Sequence, residues 1–301
     1  MSASDKLRLA IYMPLAVVSQ LYRMLVYFYD TVRFTGNPAV VFVYLGAIKE
    51  LDLKLKNDKT FRLTKSNFHN LIGMAANSSV KVGKRFHVYT EDDHNVVEFD
   101  GKKVATVGGI RPIMVEFEKG VHSKLNVNDR DVIDIGAYMG ETALYFAIEG
   151  HARKVYAFES VRSLYTAVVD NIKLNNLEEK IIAYNVAIAD SSIPLSENSF
   201  SIDGSGACKK TLNDICKELG INDGVLKMDV EGAEYGIING ASSSTLRCFS
   251  LMHIEYHHGY VDIVKRLLEE GFEVEYTKPI PTVTGLFSGV KCMGDIMARR
   301  K

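Results

Sequence analysis

The sequence predicts an α/β protein: an open, mostly parallel sheet with an antiparallel final strand, preceded by an α+β extension. Three observations carry this reading. From about residue 110 onward, apolar β-branched runs alternate with helical runs, the order of a parallel sheet covered by helices on both faces. The two closing runs, FEVEYTK and GDIMARR, are separated by a Pro/Gly-containing loop and no helix, which makes them an antiparallel pair. Before residue 110 the period is different, with apolar and polar residues alternating between Asn-Asp and Asp-Gly turns. The predicted division is therefore 1–109 for a helical and β-hairpin extension and 110–301 for the main α/β domain.

The extension opens on residues 7–29, rich in apolar and aromatic side chains but interrupted by Ser19, Gln20 and Arg23, with Pro14 inside. Its uninterrupted part is too short for a membrane span, and a central arginine is costly in lipid. No small-residue cleavage site follows, so a signal peptide is not expected. The expectation is an amphipathic helix, bent or ended at Pro14 and docked on protein. The alternative is a helix lying on a membrane surface, which the aromatic residues Tyr22, Tyr27, Phe28 and Tyr29 would suit. A second apolar run, residues 39–48, pairs with it. Leu51, Leu53 and Leu55 then alternate with polar residues, Asn57-Asp58 offers a turn, and Phe61 and Leu63 resume the alternation. A helix is expected over 66–75. RFHVYT, NVVEFD and KKVATV follow as strands, the last two joined by Asp100-Gly101.

In the main domain a first helix is expected over 112–125. VIDIGAYMGET, residues 132–142, then gives a buried strand, a glycine turn and a helix that stops at Gly150. KVYAFES is the next strand, followed by a helix with Val161, Leu164, Val168 and Ile172 on one face. IIAYNVAIA is a third strand and its exit. Thr211 caps a helix over 212–219, with Asp214 in its first turn and Gly220 as its stop. VLKMDV and SLMHIEYH are two further strands. Tyr260, Ile263, Val264, Leu267 and Leu268 mark a helix ended by Gly271.

Ligands of open α/β sheets bind outside the carboxyl ends of the strands, so the candidate residues are those at the strand ends. At the first end, Gly136, Ala137 and Gly140 let backbone approach a ligand, and the helix opening at Glu141 and Thr142 offers free N–H groups. Asp134 and Glu141 make this mouth acidic. They would repel a pyrophosphate and welcome a cationic ligand such as S-adenosyl-L-methionine, with its ammonium and sulfonium centres. Glu159, about 20 residues past the glycine loop and next to Ser160, is placed to accept hydrogen bonds from ribose hydroxyls. Asn185, Val186 and Ala187 at the third end either meet adenine edges or form an ordinary turn. The fourth end carries Asp229 and Glu231, and Lys227 shares a strand face with Asp229 and is expected to pair with it. Asp229 is the candidate to orient a bound hydroxyl or accept its proton. Glu234 suits a helix N-terminus. At the fifth end His253, Glu255 and His257 share a face, as an acid/base cluster or a divalent-metal set. The reading taken is acid/base, with His257, nearest the strand end, as the functional histidine and no metal. Residues 196–210, polar and glycine-containing, are either a lid or a solvated connection.

Four strings, DIGAYMGET, AFES, NVAIAD and above all LKMDVEGAE, resemble the FkbM type of S-adenosylmethionine-dependent methyltransferase. The resemblance runs from about residue 110 to the end. It departs at Tyr138, where relatives carry Asn in an Ala-Asn-x-Gly turn. It implies the class I methyltransferase fold, a Rossmann-like sheet, and methyl transfer to a hydroxyl oxygen of a sugar, glycan or small metabolite. The implied mechanism is in-line displacement, governed by positioning and helped by a base, Asp229 or His257. Two other readings stay open. One is a nucleotide-dependent oxidoreductase on a similar sheet, against which the acidic mouth and the missing third glycine speak. The other is a noncatalytic module associated with membranes through the N-terminal helix.

Composition narrows the partners. The chain has 301 residues, 36 Lys and Arg against 37 Asp and Glu, and a formal net charge of −1. Arg299, Arg300 and Lys301 form its only basic tract, so phosphate-driven binding of nucleic acid is not expected. Cys208, Cys216, Cys248 and Cys292 form no CxxC pair, against a zinc ribbon or a redox dithiol. Reduced thiols in a cytoplasmic protein, peripheral to a membrane if the first helix lies on one, are the expectation.

Overall fold

The computed structural model describes residues 3–54, 60–64, 86–92, 94–190, 208–283 and 290–301. The expected turn at 57–58, the helix over 66–75 and most of the 196–210 segment lie outside them.

The chain starts with a 33-residue helix, α1 (Ala3–Thr35), which continues through Pro14 rather than ending there. Its C-terminal part packs Phe28 and Val32 against a small core of Val40, Val43, Leu53 and Leu63. These come from α2 (Val40–Tyr44) and the antiparallel pair β1 (Glu50–Lys54) and β2 (Thr60–Thr64). Phe28 meets Tyr44 edge to face at 5.1 Å. The docking expected of the segment is thus found for Phe28 and Val32. Ile11, Val18, Tyr22, Leu25 and Tyr29 are each more than 60 % exposed. Among the described residues no helix is long and apolar enough to cross a membrane.

A three-stranded antiparallel sheet follows: β3 (Phe86–Glu91), β4 (His94–Phe99) and β5 (Lys102–Thr106). Asp100 and Gly101, both at positive φ, make the expected tight turn. The free edge of β5 is closed by side-chain amides. Ala105 N–H donates to Asn175 Oδ1 and Val107 N–H to Asn171 Oδ1, each at 2.8 Å. Phe99 and Val104 share a buried cluster with Phe117 of α3 (Ile110–Lys119). That helix is shorter than expected, because Gly120 takes the left-handed conformation that caps it.

The main sheet is built from β6 (Asp131–Ile135), β7 (Lys154–Phe158), β8 (Ile181–Tyr184), β11 (Gly224–Met228), β12 (Phe249–Tyr256), β13 (Phe272–Tyr276) and β15 (Val290–Arg300). Its order is β13-β15-β12-β11-β6-β7-β8, all parallel except the reversed β15. β14 (Ile280–Val283) adds to β15. The expected third strand breaks at Asn185 into β8 and β9 (Val186–Ile188), and β9 pairs with β10 (Cys208–Lys210). Alternate residues feed two cores, as a pleated strand covered on both faces requires. Val132, Val155 and Val225 pack with α3, α4 (Glu141–Ile148) and α5 (Arg162–Leu174). Ile133, Leu226 and Met252 pack with α6 (Leu212–Leu219), α7 (Glu234–Gly240), α8 (Ser243–Leu246) and α9 (Val261–Glu269). Thr211 and Asp214 form a reciprocal capping box at α6.

Candidate active site

The carboxyl ends of β6, β7, β9, β11 and β12 converge on a cavity of about 640 Å³. Gly136, at φ +78°, turns the chain out of β6, and Gly136 and Ala137 donate their N–H groups to the Phe158 carbonyl at the end of β7. Glu159 clamps the same two loops. Its carboxylate accepts from Tyr138 N–H at 2.9 Å and from Val161 N–H at 2.8 Å. Gly136, Ala137, Glu141, Thr142, Glu159, Ser160, Ala187, Asp229 and Glu231 all line the cavity.

Four expected site residues stand behind its wall. Asp134, read as part of the mouth, is fully buried; it accepts from Thr142 Oγ1 at 2.6 Å and lies 3.0 Å from Lys227 Nζ. Lys227 therefore pairs with Asp134, its register partner on the neighbouring strand, rather than with Asp229. It also donates to the Gly136 carbonyl at 2.7 Å. Burial works against its ammonium, but the Asp134 and Asp229 carboxylates more than offset this and hold its pKa above the ordinary lysine value. Gly140, at φ +87°, is the N-cap of α4. The Asn185 side chain ties two strand ends together by donating to the carbonyls of Glu159 and Ser160, each at 3.0 Å. His257 is the fourth.

His257 is fully buried, and its Nδ1 lies 2.8 Å from Glu234 Oε1. That carboxylate oxygen also accepts from the N–H groups of Val230 and Gly232. A carboxylate can only accept, so Nδ1 carries the proton and Nε2 points the other way. There Nε2 faces Asp229 Oδ1 and Glu231 Oε2 at 3.6 Å each and Glu255 Oε1 at 3.9 Å. Glu231 is held at φ +56°, a left-handed conformation that turns the chain between β11 and α7. His253, expected on the same face, lines the same cavity with Glu255 and lies 3.0 Å from Asp295 of β15.

The lining is strongly acidic. Among the described residues it holds seven carboxylates and one lysine. Burial raises the pKa of Glu141 to about 7, with a backbone hydrogen bond opposing it. Burial and then the charge of Asp229 raise Glu255 to about 7. Burial likewise lifts Glu159 and Asp229, the latter against the pull of Lys227 and His257. Burial would depress His257, but Glu234, Glu231 and Asp229 reverse the balance, leaving it above the ordinary histidine value. A cavity of this kind is suited to a cationic guest. Several of its residues escaped the sequence reading. Tyr138 and Leu164 sit beside motif residues, whereas the buried pair His122–Glu116, at 2.8 Å, comes from α3 and the turn after it.

Residues 134–274, from the first strand end to β13, match the family described as methyltransferase FkbM domain. The segment that builds the cavity is thus similar to an FkbM methyltransferase domain. The match spans every strand end that lines the cavity, and the methyl donor of the family is S-adenosylmethionine. The strand order, with β15 reversed between β12 and β13, is that of the class I methyltransferase fold. Solved structures similar to this chain include the tRNA m1G37 methyltransferase of M. jannaschii, at 15 % identity and a TM-score of 0.41, covering 76 % of this chain and 67 % of that one. TYW2 of M. jannaschii in complex with AdoMet is 16 % identical with a TM-score of 0.40, over 71 % of this chain and 89 % of the other. Precorrin-6y C5,15-methyltransferase of Geobacter metallireducens is 14 % identical with a TM-score of 0.39, over 62 % and 89 %. Among curated proteins none matches the chain.

Proposed function

We propose that the chain is an O-methyltransferase that uses S-adenosylmethionine to methylate a hydroxyl of a sugar, glycan or small metabolite, with residues 110–301 as the catalytic unit and 1–109 as an extension. The observation that carries this reading is the shared cavity. It brings Glu159, the ribose-binding candidate, into one space with Asp229 and Glu231 of the LKMDVEGAE string. Its volume of about 640 Å³ lies within the usual range for sites that enclose a cofactor. The residues present fit the donor. Glu159 and Ser160 would take the ribose hydroxyls, Leu164, Val186 and Ala187 offer apolar walls for the base, and Glu141 is a half-buried carboxyl for an ammonium.

When bound, that group supplies an electrophilic methyl carried on a sulfonium. The protein's part is then to place an acceptor oxygen in line with it and to hold the acceptor's proton. Asp229, raised in pKa and lining the cavity, would hydrogen-bond the hydroxyl through its carboxylate. His257, fixed by Glu234, backs that carboxylate from below. The near-balanced charge supports a small or glycan acceptor over a polyanion.

The test is methyl transfer from labelled S-adenosylmethionine to panels of glycans, lipids, metabolites and RNA, with thermal-shift titrations of the methyl donor and of NAD. The expected result is label on a hydroxyl oxygen and stabilisation by the methyl donor alone. Stabilisation by NAD alone would favour the oxidoreductase reading instead.

A further inference from the structure

We propose that Asp229, Glu231 and His257 form a binding site for a divalent metal ion on the wall of the cavity. One ligand atom from each of the three residues lies within 4.8 Å of the others. A cluster of carboxylates alone would say little. The decisive atom is His257 Nε2, which is fully buried, has no hydrogen-bond partner among the described residues, and is aimed into the pair of carboxylates.

The spacing separates a metal from a hydrogen bond. Nε2 is 3.6 Å from each of the two carboxylate oxygens, beyond the ~2.7–3.2 Å of an N–H···O contact. Donors sharing one cation at bonds of roughly 2.0–2.2 Å stand about 3.0–3.6 Å apart for angles between perpendicular and tetrahedral. The two Nε2–carboxylate distances fall at that upper edge. The orientation of the ring is also that of a metal ligand. Glu234 Oε1 holds Nδ1–H at 2.8 Å, which fixes the tautomer and leaves the Nε2 lone pair facing the site. Glu234 is itself fully buried and anchored by two backbone N–H groups, so the imidazole cannot swing away without stranding a buried carboxylate.

The donor set, two carboxylates and one imidazole, suits a cation such as Mn²⁺, Fe²⁺ or Zn²⁺. Three protein ligands on one wall leave positions open toward the cavity that Asp229 and Glu231 line, and an oxygen donor would fill one of them. That this oxygen is the acceptor's hydroxyl rests on the methyl-transfer reading. The metal site itself does not.

The test uses the full-length chain, stripped with a chelator and titrated with Mn²⁺ while free Mn²⁺ is followed by its paramagnetic resonance. One Mn²⁺ per chain is expected. Binding should weaken about tenfold or more in Glu231→Gln, whose side chain is exposed, and in Asp229→Asn, with circular dichroism unchanged. Glu159→Ala should keep Mn²⁺ binding while losing affinity for S-adenosylmethionine. Mn²⁺ binding without any binding of the methyl donor would leave the metal site standing and remove the methyl-transfer reading. Absence of binding up to about 1 mM Mn²⁺, weaker than the sensor range of protein cation sites, would overturn the metal site, as would an affinity equal to the parent's in both carboxylate variants.

Discussion

A Cβ added to Gly136 would lie 1.8 Å from the carbonyl oxygen of Asp229. The loops leaving the first and fourth parallel strands touch backbone to backbone at this point, directly beneath the cavity. Gly136 also sits at φ +78°, where an L side chain is strained. The glycine thus sets the spacing between the cofactor loop and the strand end that carries Asp229. Gly136→Ala is expected to destabilise the fold by about 2 kcal/mol or more and to abolish stabilisation by S-adenosylmethionine. Thermal melts with and without the cofactor would check this. A variant as stable and as responsive as the parent would mean that the two loops are free to part.

Glu159 has two tasks that a substitution series separates. Its carboxylate holds the Tyr138 and Val161 N–H groups, and it lines the cavity where ribose hydroxyls are proposed to bind. Glu159→Gln keeps an acceptor for one backbone group and is expected to retain the fold. Glu159→Ala loses both tasks and should weaken cofactor binding by roughly 1.5–3 kcal/mol, the worth of hydrogen bonds to a charged group. Calorimetric titration would decide the matter. Unchanged affinity in the alanine variant would leave Glu159 as a loop clamp only.

The pH response follows from Glu141. Its carboxyl titrates near 7 in the folded chain against an ordinary 4.5. Between those values the folded state binds more protons than the unfolded one, so this group's contribution to stability is complete below about pH 4.5 and is lost as pH rises through about 7. The slope approaches about 1.4 kcal/mol per pH unit inside the window. Glu141→Gln should flatten that part of the stability profile, measured by chemical denaturation. A profile identical to the parent's would show that Glu141 ionises normally. A cationic ligand beside it should expel the proton, so cofactor binding near pH 6 is expected to release protons, detectable as a dependence of the binding enthalpy on buffer.

The parts of this site visible in the sequence are those whose chemistry is local. The glycine turn after β6, Glu159 at the end of β7 and the Asp229–Glu231 turn each declare themselves within a few residues, because backbone conformation and strand ends are short-range properties. What depends on register between strands distant in sequence was not visible. Lys227 faces Asp134 because β11 lies beside β6, and nothing within either strand says so. Alternation likewise put His253 and Glu255 on the cavity face but could not show Asp295, which the reversed β15 brings to His253. The partner that orients His257 is Glu234, on a helix 23 residues away, and its apparent purpose as a helix-start carboxylate concealed this one. In the extension, the apolar residues of α1 were legible, but their exposure was not, since periodicity reports a face and not what covers it.

The final prediction concerns the ion pair beneath the cavity. Asp134 is fully buried and the Lys227 side chain is 6 % exposed, so neither charge has access to water. Lys227→Met would strand the Asp134 carboxylate with Thr142 as its remaining side-chain partner and would free the Gly136 carbonyl that Lys227 now holds. Breaking a buried pair from one side costs about 3–5 kcal/mol. The double variant Asp134→Asn with Lys227→Met removes both charges, and it should recover much of that loss. Its recovery should be in stability alone, because the Gly136 carbonyl still lacks its ammonium and the cofactor loop has lost its tether. Denaturation midpoints for the two single variants and the double variant, alongside cofactor titrations, separate these effects. If the double variant regains both stability and cofactor affinity, the pair serves packing only. If it regains stability while cofactor binding stays weak, Lys227 is what holds the glycine loop in its binding conformation.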